Sequence, residues 1–161
     1  MEQFKDIYEK YYRKIYLFLL KMSGNQTLAE ELTQETLYKA FIHIEQYEGR
    51  SSIYTWLCGI AKNNWLAEMR RQKFRANQEI SSEYACGKDF EEEVLEKQLR
   101  NLMRQEILKL QEPYVTVCTL RIYGELSYVE ISGLFGKSES WAKVTFFRGK
   151  TMLIERMEKY K

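Results

Sequence analysis

Residues 124–153, GELSYVEISGLFGKSESWAKVTFFRGKTML, constrain this chain more than any other stretch. Ser127-x-x-Glu130 has the spacing of a capping box, in which a serine hydroxyl and a glutamate carboxylate each satisfy a backbone N–H freed at a helix start. Gly124, just before it, suits the left-handed end of a preceding helix. Gly136 interrupts the pattern, and Ser138 can cap a second, longer helix. A short helix, a glycine turn and a longer helix form a helix-turn-helix, whose second helix enters the DNA major groove.

The second helix can be read face by face. At about 100° per residue, Ala142, Phe146, Leu153 and Met157 share one side and should face the core. Ser140, Val144, Phe147, Arg148 and Thr151 gather opposite, with Lys143 at the edge. A merely solvated face rarely mixes Val and Phe with Lys and Arg. On a DNA-reading face apolar groups meet thymine methyls, while Arg and Lys reach guanine edges or phosphates. A packing helix with two apolar faces is the alternative, so the rest of the chain must decide.

The chain has 161 residues, enough for one large domain or two small ones. A single proline and eight glycines leave long uninterrupted segments, and their apolar period is helical. No stretch approaches the roughly 18 apolar residues of a membrane span, and no secretory leader is visible. Cys58, Cys86 and Cys118 are odd in number and far apart, so they suggest neither a zinc site nor a disulfide framework. That usage fits a reducing cytoplasm. Residues 1–73 carry 11 Lys/Arg against 9 Asp/Glu, residues 74–112 carry 6 against 9, and residues 113–161 carry 8 against 5. Two mildly basic blocks flank an acidic middle. The excess is too small to bind nucleic acid tightly by charge alone.

From the N-terminus, Phe4, Ile7, Tyr8, Tyr11, Ile15, Phe18, Leu19 and Met22 mark a core stripe on a first helix that ends at Ser23-Gly24-Asn25. Thr27-x-x-Glu30 reads as a second capping box. In the helix it opens, Ala29, Leu32, Thr33, Leu37, Ala40 and Ile44 share the inner face. Glu31, Gln34, Glu35 and Tyr38 lie opposite, either as a solvated acidic face or as a docking surface for a basic partner helix. The polar loop 47–52 follows. A third helix from about Ile53 to Gln72 directs Ile53, Trp56, Leu57, Ile60, Ala61 and Asn64 inward, and Thr55, Lys62, Asn63, Leu66, Arg70 and Lys73 outward. Its basic end complements the helix dipole, and also suits single-stranded DNA. Residues 76–90 have no persistent period and read as a linker. Another helix runs from Glu91 to about Leu110, with Val94, Leu99, Leu102, Met103 and Leu110 as candidate core. Pro113 then opens a helix ending near Tyr123.

Three stretches together, AEELTQETLYKAF (29–41), YEGRSSIYTWLCGIAKNNWLAEMRR (47–71) and the helix-turn-helix, resemble the extracytoplasmic-function (ECF, group 4) sigma factors of the sigma-70 family. The resemblance implies an all-α protein of two small helical domains joined by a flexible linker. Residues 1–75 would form sigma region 2, residues 76–92 the linker, and residues 93–161 sigma region 4. It implies that Glu31, Gln34 and Glu35 dock on the β′ clamp helices of core RNA polymerase, with further contact to the β subunit. The Tyr47–Ile53 loop, with Tyr47, Gly49, Arg50 and Ser51, resembles the family's specificity loop, which receives a base flipped from the −10 element. Asn63 matches a position near that DNA, and Lys62, Arg70 and Arg71 would handle backbone phosphates. Lys143, Val144, Phe147 and Arg148, with Ser140 on the same side, match the face that reads the −35 element.

The implied partners are core polymerase, promoter DNA and an anti-sigma factor. No small-molecule substrate, cofactor, metal or catalytic residue is implied. The location would be cytoplasmic, at the nucleoid when active and at the membrane when an anti-sigma factor holds the chain there. Promoter elements some 18 base pairs apart lie about 60 Å apart. A linker of about 18 residues reaches that span only when fully extended, and averages about 25 Å as a flexible coil. Something must therefore hold it out, and the resemblance implies that polymerase does. The rival reading is a free-standing helix-turn-helix regulator that binds DNA without polymerase. An enzyme is disfavoured because the sole histidine, His43, has no evident catalytic partner.

Overall fold

The computed structural model describes residues 2–78 and 91–160, and among these all regular structure is helical. Three helices, α1 (Glu2–Ser23), α2 (Gln26–Ile42) and α3 (Ile53–Gln78), form an N-terminal bundle, with a 3₁₀ turn at Ile44–Gln46. Four more, α4 (Glu91–Leu108), α5 (Tyr114–Ile122), α6 (Tyr128–Phe135) and α7 (Glu139–Glu158), form the C-terminal lobe, with α7 packed on α4, α5 and α6. Of the expected linker 76–92, residues 76–78 belong to α3 and 91–92 to α4, and 79–90 lie outside the described residues.

Local signals place the helix ends. Ser127 accepts from the Glu130 N–H at 3.1 Å, and the Glu130 carboxylate accepts from the Ser127 N–H at 2.9 Å. Gly136 takes φ 63°, and Ser138 caps α7 by accepting from the Trp141 N–H at 3.1 Å. Three expectations change. Helix α3 runs on to Gln78 rather than ending near Gln72. Helix α2 is capped by Asn25, which accepts from Leu28 N–H, so the helix starts ahead of Thr27. Gly124 is not the left-handed residue; Glu125 is, at φ 55°. Glycine is required at 124 by close approach, since a Cβ there would stand 2.7 Å from Leu120 O and 3.2 Å from the Phe18 ring.

Phe18 belongs to α1, so that approach joins the two lobes. One continuous apolar core runs from Ile15, Leu19, Leu37 and Leu57 in the bundle to Val117, Leu120, Leu126 and Ile131 in the C-terminal lobe. Tyr54 Oη donates to Gly124 O at 3.2 Å, Arg104 Nε donates to Lys21 O at 2.9 Å, and Lys21 pairs with Glu125 at 3.5 Å. Helix α3 is therefore covered on two flanks, by α1 and α2 on one side and by α5 and α6 on the other. This corrects the outward assignment of Thr55, which is fully buried, and of Leu66, which packs against the cluster of Ile107, Val115 and Cys118. Among the expected core residues, Tyr8 of α1 and Leu99 of α4 stay exposed.

Within the C-terminal lobe, Glu106 anchors α4 to the end of α7. Its buried carboxylate accepts from Lys109 and from the Tyr160 hydroxyl, each at 3.0 Å, and faces Arg156 at 3.6 Å. The Lys109 hydrogen bond holds the Glu106 carboxyl below its ordinary range, against the opposing effect of burial.

Candidate polymerase and DNA interfaces

Helix α7 is fixed by its buried face, where Ala142, Thr145, Gly149 and Leu153 meet α5 and α6. Ser140, Lys143, Val144, Phe147, Arg148 and Thr151 all point to solvent. Phe147 is 67 % exposed and Val144 48 %, so neither serves the core. Lys143 is held by Glu139 at 3.5 Å, one turn earlier. Trp141 leaves this face, half-buried with its ring 5.0 Å from Phe135. Thr145 and Gly149 belong to the buried face although the apolar pattern passed over them; the missing side chain of Gly149 lets Cys118 and Tyr114 of α5 approach.

Helix α2 turns Ala29, Leu32, Thr33, Thr36, Leu37 and Ala40 inward. Glu31, Gln34 and Tyr38 are exposed opposite, and half-exposed Glu35 is bound to Lys39 at 3.1 Å. Two carboxylates and an amide on successive turns give a rigid acidic ridge suited to a basic helical partner.

The loop after α2 is built by its own polar groups. The Tyr47 hydroxyl donates to Ser51 O, and the Tyr47 ring lies 5.3 Å from that of Trp56. Gly49 adopts φ 75°, a conformation that costs other residues strain, and Arg50 pairs with Glu48 at 2.8 Å. Ser52 Oγ caps α3 by accepting from Thr55 N–H at 3.1 Å. Beside this loop opens a cavity of about 360 Å³, lined by Lys39, His43, Gln46, Trp56, Ile60, Asn63 and Asn64. Buried Asn64 is oriented from both ends: Oδ1 accepts from Lys39 Nζ at 2.6 Å, and Nδ2 donates to Thr36 Oγ1 at 3.1 Å. An aromatic wall, an aliphatic wall and several amides suit a planar polar group such as a nucleobase.

Of the residues expected to meet −10 DNA, Asn63 lines this cavity. Arg70 follows it on the same stripe of α3, seven residues or about 10 Å along. Phe74, one turn further on that stripe, is 65 % exposed. Tyr47, Gly49, Arg50 and Ser51 form the loop beside the cavity, and Arg71 pairs with Glu68 at 2.8 Å. Lys62 departs from the group. It lies on the flank of α3 covered by the C-terminal lobe, where burial lowers its ammonium pKa and Glu112 partly offsets that effect. Lys39, His43 and Gln46 escaped the sequence reading, while Trp56, Ile60 and Asn64 were placed in the core. The i, i+4 spacing of 39 with 43, and of 56 with 60 and 64, was the available signal.

A helical bundle with an acidic ridge and a cavity lined by amides and an indole, joined to a helix-turn-helix, suits a promoter-recognition subunit of transcription. Residues 7–75 match the domain family Sigma-70 region 2. The chain is 32 % identical over 162 residues to the RNA polymerase sigma factor YlaC of Bacillus subtilis (strain 168), covering 98 % of this chain and 94 % of that one. It is 30 % identical to the ECF RNA polymerase sigma factor SigW of the same organism, covering 97 % and 89 %. Its fold is similar to that of the sigma factor RpoE solved in complex with the anti-sigma factor NepR from Bartonella quintana. That similarity has a TM-score of 0.63 at 20 % identity and covers 99 % and 98 % of the two chains. CnrH, solved with the cytosolic domain of CnrY, gives a TM-score of 0.63 at 13 % identity, over 98 % and 89 %. This chain belongs to the extracytoplasmic-function group of the sigma-70 family. It is a sigma factor, which binds core RNA polymerase and directs promoter-specific initiation through −10 and −35 elements. Among the described residues no helix is long and apolar enough to cross a membrane.

Proposed function

We propose that the acidic ridge of α2, with Glu31, Gln34 and Glu35, docks on the β′ clamp helices. The cavity and the Tyr47–Ser52 loop take a base flipped from the −10 element. Asn63 and Arg70 follow the strand, and Ser140, Lys143, Val144, Phe147 and Arg148 read the −35 element. Residues 1–75 and 93–161 serve as the two promoter-binding units. The carrying observation is the cavity, which sits between α2 and α3 beside a polar loop and shares a stripe of α3 with Asn63 and Arg70. Opening the duplex then needs no chemistry. Capture of the base offsets an unstacking cost of a few kcal/mol.

The shared core adds a step. Promoter elements about 60 Å apart cannot be held by two lobes in direct contact, so polymerase must part them. Parting uncovers the flank of α3 that bears Lys62 and Leu66, and only then is Lys62 available to phosphates. An anti-sigma factor would favour the joined form; RpoE, which is similar in fold, was solved in complex with the anti-sigma factor NepR. The protein acts in the cytoplasm, at the nucleoid when engaged and at the membrane when such a partner holds it there.

Run-off transcription with core polymerase, followed by start-site mapping, tests the assignment. Transcripts that depend on this chain are expected, and they should fall when Gln34 and Glu35 are both changed to alanine. Unchanged polymerase affinity in that double variant would refute the docking face. A mobility shift with and without core enzyme separates the rival reading, because tight specific binding by the chain alone would mark a free-standing regulator.

A further inference from the structure

Lys39 stands between the acidic ridge and the cavity. Its ammonium has three N–H donors and no acceptor. One bond goes to Asn64 Oδ1 at 2.6 Å and another contact to Glu35 Oε1 at 3.1 Å. Asn64 is buried and also committed to Thr36, so its amide holds the lysine in place rather than meeting a ligand. Among the described residues that line the cavity, Lys39 is the only lysine or arginine; the other polar ones are His43, Gln46, Asn63 and Asn64. About half of its side chain remains accessible. In the free chain, therefore, the charge best placed to meet a nucleic acid strand at the cavity is neutralised by a residue of the docking ridge.

We propose that Lys39 is a further promoter-binding residue, gated by Glu35: engagement of Glu35 by the polymerase releases the Lys39 ammonium to the displaced strand at the cavity. This rests on the assignments of Glu35 to docking and of the cavity to the strand. One carboxylate cannot fully serve two cations, so a basic partner at Glu35 weakens its hold on Lys39. Asn64 keeps the lysine at the cavity mouth meanwhile. Strand binding would then become strong only after polymerase joins.

The probe is a fluorescent single-stranded oligonucleotide carrying the non-template −10 region of a mapped promoter, titrated with holoenzyme at several salt concentrations. Lys39→Gln is the informative variant, because glutamine keeps a donor for Asn64 while losing the charge. It should weaken binding by roughly tenfold at low salt and reduce the slope of log K against log salt by about 0.7, the loss of one phosphate contact on a single strand. Lys39→Arg should restore both. In the free chain, Glu35→Gln should tighten oligonucleotide binding severalfold, and the Glu35→Gln, Lys39→Gln double variant should not. Holoenzyme that binds equally well with Lys39→Gln, at the same slope, overturns the role of Lys39. Equal binding by the free wild-type and Glu35→Gln chains removes the gate. Failure of wild-type holoenzyme to retain the strand would deny the cavity assignment itself, and this proposal with it.

Discussion

Replacing Gly149 with alanine tests how α7 is held while leaving its DNA-facing residues untouched. The new methyl would stand 2.5 Å from Cys118 Sγ and 3.6 Å from Tyr114 Cβ. The second distance is an ordinary contact, but the first is about 1 Å too short, so α7 must move away from α5. The sulfur cannot turn aside freely, because Cys118 is fully buried, and that burial pushes its thiol pKa up to about 11. Overpacking of this kind costs about 1–3 kcal/mol. Removing a mid-helix glycine returns about 1 kcal/mol of helix propensity. The net expectation is a loss of about 1 kcal/mol, or roughly 2–4 °C in Tm for a chain of this size. Binding to −35 DNA should weaken with it, because the reading face rides on the displaced helix. Cys118→Ala alone should cost about 1 kcal/mol through the space it leaves. Combined, the methyl of residue 149 occupies the volume vacated by the sulfur, so the double variant should be more stable than the sum of its parts by about 1–2 kcal/mol. Chemical denaturation of all four proteins reads this cycle. Additivity within about 0.5 kcal/mol would refute the claim that this contact sets the spacing of α5 and α7.

Arg148→Ala should weaken −35 recognition by about 1–3 kcal/mol while polymerase is still retained; a pull-down that loses core enzyme would contradict the division of labour. Gly59→Glu would set a carboxylate against Leu134, whose methyl carbons lie 3.7 and 3.9 Å from a Cβ at that position. An unpaired charge in that seam is costly, so the lobes should part and the radius of gyration measured by small-angle scattering should rise; an unchanged radius would show that the seam accommodates the charge. The depressed pKa of Glu106 implies stability that is fully present above the ordinary carboxylate pKa, about 4.3, and lost as pH falls through the folded value. Glu106→Gln should flatten this acid limb in a denaturation series, and an unaltered acid limb would remove Glu106 as its source.

The sequence by itself determined the helices, the helix-turn-helix and the outward faces of α2 and α7. Each depends on near neighbours: a serine three residues before its glutamate, a glycine at a left-handed turn, an apolar stripe that repeats with the helix. The same local logic gave the wrong reason at Gly124, where the Leu120 carbonyl four residues earlier and the Phe18 ring more than a hundred residues away both crowd a side chain. It also misplaced part of α3, because the side bearing Thr55, Lys62 and Leu66 is mostly polar and its spacing does not say what covers it. Only the tertiary structure decided that α5 and α6 cover that flank, burying Thr55 and half-burying Lys62. It likewise decided that Lys39, Trp56 and Ile60 converge on one cavity, since residues from two helices and a turn become neighbours only through packing. Helix faces are fixed by contacts a few residues apart, whereas the cavity and the seam between lobes arise from contacts for which the chain carries no period.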